Sequence, residues 1–561
     1  MELNYKKNKN RELFTQLANE NLVNIDNLQN YIPIYRNFFN LNENNYNSIN
    51  LNNDFKLNTI NEKLGYSKFN GTIIDDSNNV INRKIFFKYG PLVDPIKYML
   101  GKYEDNIFEL PKFENNQNIN KKTLDINNSA YTDGFFSFLS SLLLNKYEFL
   151  NGIDYYGSFL GIKNNFVVDI EDDLEYLDDS EFFHKNNNVL FNIQENNSHK
   201  KYFSNTKKYK QALVIDNENI NDEELDIDDL FNNKLNIDNT TTDNNLEIEY
   251  TQTLTEDNIK KKKVKTNEQN ESESSCSSRY SNTDSSKNED SEEENDSTSD
   301  ESESEEEEEE IYANILKFPV QTIALECCDD TLDSYIINSK IKDDEWESII
   351  SQIIFSLITY QKVFDFTHND LHTNNVVYNK TEKKFLYYKY DNKHYKIPTF
   401  GKIYKIIDFG RAIYKFKGNI ICSDSYAPEG DAHTQYNTEP YFNEDKARLE
   451  PNYSFDLCRL GCSLFDYFIE DIDDIKKLKS PIKKIMVEWV FDDSNKNILY
   501  KNNGSERYPD FKLYKMIART VHNHKPQNVL NKSLFEKYLL PKKKINNQSA
   551  IFNIDNLPVL S

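Results

Sequence analysis

Two short motifs contain the residue types that phosphoryl transfer requires. The first is HNDLHTNN at 368–375, in which Asn375 lies five positions after Asp370. The second is IIDFGRA at 406–412, in which Asp408 precedes Phe and Gly. Phosphoryl transfer needs a carboxylate beside the attacking hydroxyl and oxygen ligands for Mg²⁺ on the phosphates. We therefore predict that Asp370 is the catalytic base and that Asn375 and Asp408 are the Mg²⁺ ligands.

A lysine near the end of a strand could hold the nucleotide phosphates, and Lys88 is the predicted residue. It ends the apolar run RKIFFK and precedes a segment that favours a helix, whereas Lys84 lies on the same strand face further from that helix. The helix should supply a carboxylate partner. Asp133 is the only acid within 129–145. The alternative for Asp133 is an acid near a helix N-terminus, which the helix dipole favours without any functional partner.

His368, Asp370 and His372 could instead form a metal cluster. Histidines at i and i+4 bind a metal well from one face of a helix, but the run NDLHTNN favours a loop. A zinc site, and with it a metal-dependent phosphoesterase, is therefore the weaker hypothesis for these residues.

Composition excludes some classes of partner. The 561 residues carry a formal net charge of −26, which disfavours nucleic acid and anionic membranes as general partners. The six cysteines form no CxxC pair, which suits free thiols in a reducing compartment. The most apolar span, FFSFLSSLLL at 135–144, is about half as long as a membrane helix. These features predict a soluble, intracellular protein with no membrane partner.

Periodicity places the motifs on secondary structure. The pattern predicts a hairpin with its turn near 76–79, a helix over 129–145 and a strand over 313–326. It also predicts an amphipathic helix over 343–361 and an almost wholly apolar helix over 454–468. Further strands are predicted at 155–162 and 164–170, and around NNVVY and KIYKII.

An acidic, low-complexity stretch interrupts this pattern. Residues 281–310 contain 16 acidic residues and one lysine, too little apolar surface to fold, so we predict disorder within one interrupted domain. The predicted segments are an Asn-rich, irregular or partly helical extension at 1–54, the first part of a strand-rich lobe at 55–170, an acidic insertion at 171–310, the last strand of that lobe at 311–326, a second lobe at 327–545 and a tail at 546–561.

The motifs resemble the eukaryotic-type protein kinase superfamily. Three segments look most like sequences of the serine/threonine kinases of giant nucleocytoplasmic DNA viruses of the mimivirus type: FTHNDLHTNNVVY, FFKYGPLVDPIKYM and FDLCRLGCSLFD. The resemblance covers roughly 55–170 and 311–540. It implies an α+β, two-lobed kinase-like fold, with a small β-rich lobe, a mostly helical lobe, and ATP and Mg²⁺ between them. It also implies that the backbone of Glu326 and Cys328 meets adenine.

The resemblance implies one further anchor and includes several departures. Asp456, followed by Gly461, would hold the backbone of the catalytic loop. Asn369 stands where many kinases have Arg, His372 where serine/threonine kinases usually have Lys, and Phe86 where a small residue usually lines the adenine pocket. No GxGxxG motif precedes the strand lysine; Gly65 and Gly71 occur there and are equally typical of turns. The triplet APE at 427–429 lies further from Asp456 than is usual.

The predicted function is that of a serine/threonine-protein kinase that transfers the γ-phosphoryl group of ATP to protein hydroxyls. Its expected partners are ATP and protein substrates, with the acidic tract as a docking site for basic proteins and no direct nucleic-acid partner. The host cytoplasm is the expected location, with nucleus and virion as alternatives. Two other functions stay open: a small-molecule kinase of the aminoglycoside or choline type, and a pseudokinase scaffold.

Overall fold

The computed structural model describes residues 2–114, 116–193, 311–541 and 550–561. The strands are β1 Tyr5–Lys7, β2 Ile25–Gln29, β3 Ile49–Leu51, β4 Phe55–Lys63, β5 Lys68–Asp75, β6 Val80–Pro91, β7 Tyr155–Asp169, β8 Phe191–Ile193, β9 Tyr312–Glu326, β10 Asp330–Thr331, β11 Val376–Lys380, β12 Phe385–Tyr390, β13 Lys393–Pro398, β14 Lys402–Ile406, β15 Ile413–Phe416, β16 Asn419–Cys422 and β17 Phe552–Asn553. The helices are α1 Arg11–Leu17, α2 Pro95–Met99, α3 Lys121–Leu124, α4 Ser129–Tyr147, α5 Leu174–Asp178, α6 Glu181–Asn186, α7 Leu332–Asn338, α8 Asp343–Phe364, α9 Phe455–Phe468, α10 Pro481–Glu488, α11 Phe511–Thr520 and α12 Pro526–Leu530.

A seven-stranded antiparallel sheet forms the first half of the fold. Its order is β2-β7-β9-β6-β5-β4, and β8 adds to β9. The β5–β6 turn forms because the Asp75 carboxylate accepts hydrogen bonds from the backbone N–H groups of Ser77 and Asn79. In the β6–β9 pair, Lys88 lies opposite Ile323. Because side chains alternate along a strand, Lys88 lies on the opposite face of β6 from the core residue Phe87.

Helix α4 packs against β6, β7 and β9 and is buried over most of its length. It begins where the Asn128 side chain accepts the N–H of Ala130, as an N-cap should. Small residues let neighbouring chain segments come close: a Cβ on Gly134 would lie 2.1 Å from Nε2 of Gln321 in β9. On the opposite side, the hydroxyls of Ser140 and Tyr360 of α8 are 2.7 Å apart. Helix α4 thus joins the large sheet to the helical half.

The second half is built around α8 and α9. Helix α8 contacts β13, β14, α10 and α12, and α9 packs on α10 and α11. Smaller sheets cover these helices: β10-β11-β14, the β15–β16 pair, and β13-β12-β17, in which β17 is parallel to β12. The motif at 368–375 ends in a 3₁₀ turn at 373–375, just before β11. The motif at 406–412 lies at the end of β14 and in the loop that follows it.

Several sequence predictions are confirmed at the level of elements. The hairpin turn lies at 76–79, and the predicted helices at 129–145, 343–361 and 454–468 are α4, α8 and α9. The strand predicted at 313–326 is β9. The two strands predicted at 155–162 and 164–170 are instead one, β7, because its pairing with β9 continues through the polar residues between them.

Three segments outside the predicted lobes form part of the packed fold. Within 1–54, β2 pairs with β7 at the edge of the large sheet, and amides pair in the interior, such as Asn10 Nδ2 with Asn30 Oδ1 at 2.5 Å. Strand pairing uses the backbone, so an Asn-rich composition concealed it. Within 171–193, buried Phe183 and Phe191 pack in the sheet core, and β8 pairs with β9. In the tail, Ile554 is buried. The acidic residues 194–310 lie outside the described residues.

Within the described part of the chain, no helix has both the length and the apolar character of a membrane span.

The aromatic core between α4 and the second half should be essential for stability. Phe136 is fully buried and stacks on Phe366 with ring centroids 4.3 Å apart. Phe136→Ala should lower the free energy of unfolding by about 3–5 kcal/mol, because it leaves a cavity in the core. Chemical denaturation would measure it. The control is Phe400→Ala, because the Phe400 side chain is 47% exposed. An equal loss of unfolding free energy in both variants would contradict the role of Phe136 in the core.

Candidate active site

Lys88 lies between two carboxylates that come from different parts of the chain. Its Nζ is 2.5 Å from Oδ2 of Asp133 in α4 and 2.7 Å from Oδ1 of Asp408 in the loop after β14. The Lys88 and Asp133 side chains are 11% and 4% exposed, whereas Asp408 is 28% exposed. The structure thus brings together Lys88 and Asp133, the pair named from the sequence, and leaves Asp408 facing open space.

The two carboxylates differ electrostatically. Burial raises the pKa of Asp133, although Lys88 opposes the shift. Burial would also raise the pKa of Asp408, but the Lys88 ammonium outweighs burial and holds that pKa below its ordinary value. The Oδ1 of Asp133 accepts the backbone N–H of Phe409 at 3.0 Å. Asp133 therefore fixes both the lysine and the backbone beside Asp408.

Asp456 of α9 binds the backbone of the loop that carries Asp370. The buried Asp456 carboxylate accepts the backbone N–H groups of His368 at 3.0 and 3.1 Å and of Asn369 at 2.9 Å. Burial raises the pKa of Asp456, and these hydrogen bonds offset part of the cost of burying it. Asn369 adopts a positive φ of 66°. Its side-chain oxygen accepts the hydroxyl of Tyr436 at 2.8 Å.

Cationic and aromatic side chains surround Asp370. Its Oδ1 accepts the Tyr514 hydroxyl at 2.8 Å and lies 3.8 Å from Arg459 Nε, and its Oδ2 lies 3.9 Å from Arg411 Nε. Burial would raise the pKa of Asp370, but nearby positive charge, that of Arg411 first, outweighs burial and holds the pKa well below its usual range. Asp370 is therefore ionised at neutral pH.

Asn375 joins the two motifs. Its side-chain Nδ2 donates to the backbone oxygen of Asp370 at 2.9 Å and lies 3.0 Å from Nε2 of His372. Its backbone oxygen accepts the N–H of Ile407, next to Asp408, at 3.0 Å. Because the amide nitrogen is engaged within the loop, the amide oxygen is the atom suited to a cation. An amide oxygen and the partly exposed Asp408 carboxylate are hard donors that fit Mg²⁺.

The histidines do not form the metal cluster that was the weaker hypothesis. His368 Nε2 lies 2.9 Å from the backbone oxygen of Ile407, and its Nδ1 accepts the N–H of Asp370. Burial lowers the pKa of His372 to about 4, and its Nε2 faces Asn375. Across the four described ranges, no three His, Cys, Asp or Glu residues are grouped so as to hold a metal ion.

The segment predicted to meet adenine begins at the end of β9. The Glu326 side chain is occupied: its carboxylate accepts the N–H of Asp154 at 2.7 Å and the Asn379 amide at 2.6 Å, and it forms an ion pair with Lys405 of β14. Burial raises the pKa of the Cys328 thiol well above its usual value. Any contact between this segment and a base is thus left to its backbone, and that role stays a prediction.

The other residues considered for a nucleotide site lie on β5, on β6 and in the connection between β4 and β5. Phe86 is opposite Leu325 in the β6–β9 pair. Gly65 lies in the tight β4–β5 connection, where its N–H donates to the oxygen of Lys68 at 3.1 Å. Gly71 is paired within β5 instead. The two glycines therefore have separate structural positions and do not form one phosphate-covering loop.

Three residues next to Asp370 were missed in the sequence: Arg411, Arg459 and Tyr514. Arg411 immediately follows the Asp-Phe-Gly triplet, and Arg459 lies three residues after Asp456, so it shares one face of α9. That helical spacing could have indicated Arg459. Tyr514 is 144 residues from Asp370 along the chain, and no local pattern connects them.

Comparison with known proteins gives one partial relationship. No family model matches the chain. A 90-residue stretch, 15% of this chain, is 37% identical to a protein of Dictyostelium discoideum named "Probable serine/threonine-protein kinase". The match covers 7% of that relative's length. Part of the chain is thus similar to a kinase.

Loss of the Lys88 charge should be costly because the buried Asp133 and the partly exposed Asp408 both depend on it. Lys88→Met should lower the free energy of unfolding by about 3–5 kcal/mol, and adding Asp133→Asn should restore part of that loss. Urea denaturation would measure both. The matched control is Lys84→Met, an exposed lysine of the same strand, which should change stability by less than about 0.5 kcal/mol. Similar losses at Lys84 and Lys88 would be inconsistent with a buried charge cluster.

Asp456 should stabilise the loop through its hydrogen bonds. Asp456→Asn keeps the side-chain shape but turns an N–H₂ group toward the backbone donors, and should cost about 1–3 kcal/mol. Thermal denaturation would follow the change, with the exposed Asp445→Asn as the control. An Asp456→Asn protein as stable as the control would refute the anchoring role.

Proposed function

We propose that this chain is an ATP- and Mg²⁺-dependent serine/threonine-protein kinase with a two-lobed, protein-kinase-like fold. One observation carries the proposal: Lys88 reaches Asp408 at 2.7 Å, and the Asn375 backbone binds that of Ile407, so residues from three separate segments meet at one site. The large sheet with α4 would be the small lobe, and the elements around α8 and α9 would be the helical lobe. The partial similarity to a kinase supports the same function.

In this mechanism each residue has one task. Asp370, held ionised, accepts the proton of the acceptor hydroxyl. Lys88 neutralises the nucleotide phosphates, and the oxygens of Asn375 and Asp408 would hold Mg²⁺, which supplies positive charge to the transferred group. The hydroxyl oxygen bonds to the γ-phosphorus as the bond to the bridging oxygen breaks, and ADP leaves.

The surroundings of Asp370 favour protein acceptors over cationic small alcohols. A small-molecule kinase of the aminoglycoside type needs an acid-lined pocket for its cationic substrate. The α11 side chain that reaches Asp370 is Tyr514, with Phe511 stacked on it and two arginines nearby. This environment repels an ammonium group. The pseudokinase alternative is disfavoured because Lys88, Asp370, Asn375 and Asp408 are all present.

The finer parts of the proposal rest on sequence. The likeness to kinases of giant DNA viruses comes from motifs such as FTHNDLHTNNVVY, and a host-cytoplasmic location follows from it. Docking of basic proteins is proposed for the acidic tract at 281–310, on charge alone.

Turnover with Mg²⁺ and ATP tests the proposal directly. Casein, histone and small alcohols would be offered as acceptors, and phosphoamino-acid analysis would identify the product. We expect phosphate on protein serine or threonine, with Asp370→Asn reducing the rate by about 10²–10⁴-fold and Asp408→Asn by a comparable factor. Asp445→Asn, exposed and remote in sequence from both motifs, is the control.

Three results would decide against this function. Transfer only to a small alcohol would indicate the small-molecule kinase. Nucleotide binding without any transfer would indicate the scaffold. Rates unchanged by both substitutions would show that the reaction comes from another source, such as a contaminating kinase.

A further inference from the structure

We propose that Tyr514 and Arg459 are positioning residues that hold the Asp370 carboxylate in its reactive orientation; the inference rests on the proposed function. Arg459 Nε donates to the Tyr514 hydroxyl at 2.9 Å, and that hydroxyl donates to Asp370 Oδ1 at 2.8 Å. The three groups form one chain of hydrogen bonds that runs from α9 through α11 to the loop.

Helix α9 would thereby hold the loop at two points. Asp456 binds its backbone. Arg459, one helical turn further on, acts on the side chain of Asp370 through the Tyr514 hydroxyl and also as a charge 3.8 Å from Oδ1 of Asp370. A carboxylate attached to a fixed backbone can still rotate about its side-chain bonds. The second contact removes that freedom, which a base must lose before it can meet an acceptor hydroxyl in one geometry.

The Tyr514 ring is itself held by a second aromatic ring and two guanidinium groups. It stacks on Phe511 with centroids 5.2 Å apart and planes 12° from parallel. The guanidinium carbons of Arg459 and Arg411 lie 5.1 and 5.6 Å from its centroid, a cation–π arrangement. The direction of the hydroxyl is therefore set by packing, so the hydrogen bond to Asp370 needs little further ordering.

The other nearby arginine has a different principal partner. Arg411 Nη2 forms a 2.5 Å ion pair with Asp431, and its Nε is 3.9 Å from Asp370 Oδ2. Arg459 instead directs its Nε hydrogen to Tyr514. With Tyr514 on Oδ1, the carboxylate presents Oδ2 to the acceptor. The assignment thus gives the two oxygens of Asp370 separate roles.

The test is a set of single-group changes measured by steady-state kinetics. The variants are Tyr514→Phe, Arg459→Met, Arg459→Lys and the double variant Tyr514→Phe/Arg459→Met. Tyr514→Phe removes only the hydroxyl and should lower kcat by about tenfold or more, the effect of losing a hydrogen bond to a charged group. The KM for ATP should stay unchanged, because the hydrogen bonds of both residues lead to Asp370 and not to Lys88 or Asp408.

Two further results separate positioning from general damage to the fold. The double variant should be no slower than the slower single variant, because both residues act through one chain of hydrogen bonds. Arg459→Lys should recover part of the kcat lost in Arg459→Met. Tyr467→Phe is the matched control: it removes a hydroxyl from α9 that donates to Asp333 at 2.9 Å instead, and it should retain wild-type kcat.

The outcomes distinguish this inference from the proposed function. Phosphoryl transfer by the wild type with an unchanged kcat in Tyr514→Phe would overturn the positioning role alone. A raised kcat would also overturn it, since Tyr514 would then be competing with the acceptor for Asp370. Independent, multiplicative losses in the double variant would show that the residues do not act as a unit. No transfer by the wild type to any acceptor would remove the proposed function and this inference together.

Discussion

One buried cation shared by two carboxylates is the constraint on which the structure depends. Lys88, Asp133 and Asp408 come from β6, α4 and the loop after β14. A buried charge without a partner costs several kcal/mol, whereas a well-paired one is tolerated. The sheet, the helix and the loop must therefore assemble together. Displacement of the sheet or of the helix would separate the buried charges of Lys88 and Asp133.

Helix α4 connects the ion pairs around Lys88 to both halves of the fold. Its N-terminus is held by Asp424, which accepts the N–H of Ser129 at 2.9 Å and lies in the segment after β16. Gly134 permits close packing on β9, and Phe136 packs in the aromatic core beside Phe366. Asp133 lies between these fixed points. Its position relative to Lys88 is consequently set by packing along the whole helix.

The loop that carries Asp370 shows a second use of buried charge. Asp456 replaces the water that would otherwise bind two backbone N–H groups, and in return its own charge is satisfied by them. Such a loop needs no regular secondary structure to be rigid. That rigidity allows Asn375 to bridge Asp370 and the strand end before Asp408. The geometry of the candidate site is therefore a property of α9 and β14 as much as of the loop itself.

The sequence by itself determined the local features. The spacing in HNDLHTNN and IIDFGRA selected Asp370, Asn375 and Asp408, because each lies in a short loop whose residues are neighbours along the chain. Periodicity located α4, α8 and α9 for the same reason. Tertiary structure alone decided which role Asp133 has, because a helix-terminal acid and a lysine partner look identical in sequence. It also decided that Tyr514 meets Asp370 and that the Asn-rich and acidic flanks contribute β2 and β8, since contacts between distant segments and backbone pairing leave no local pattern.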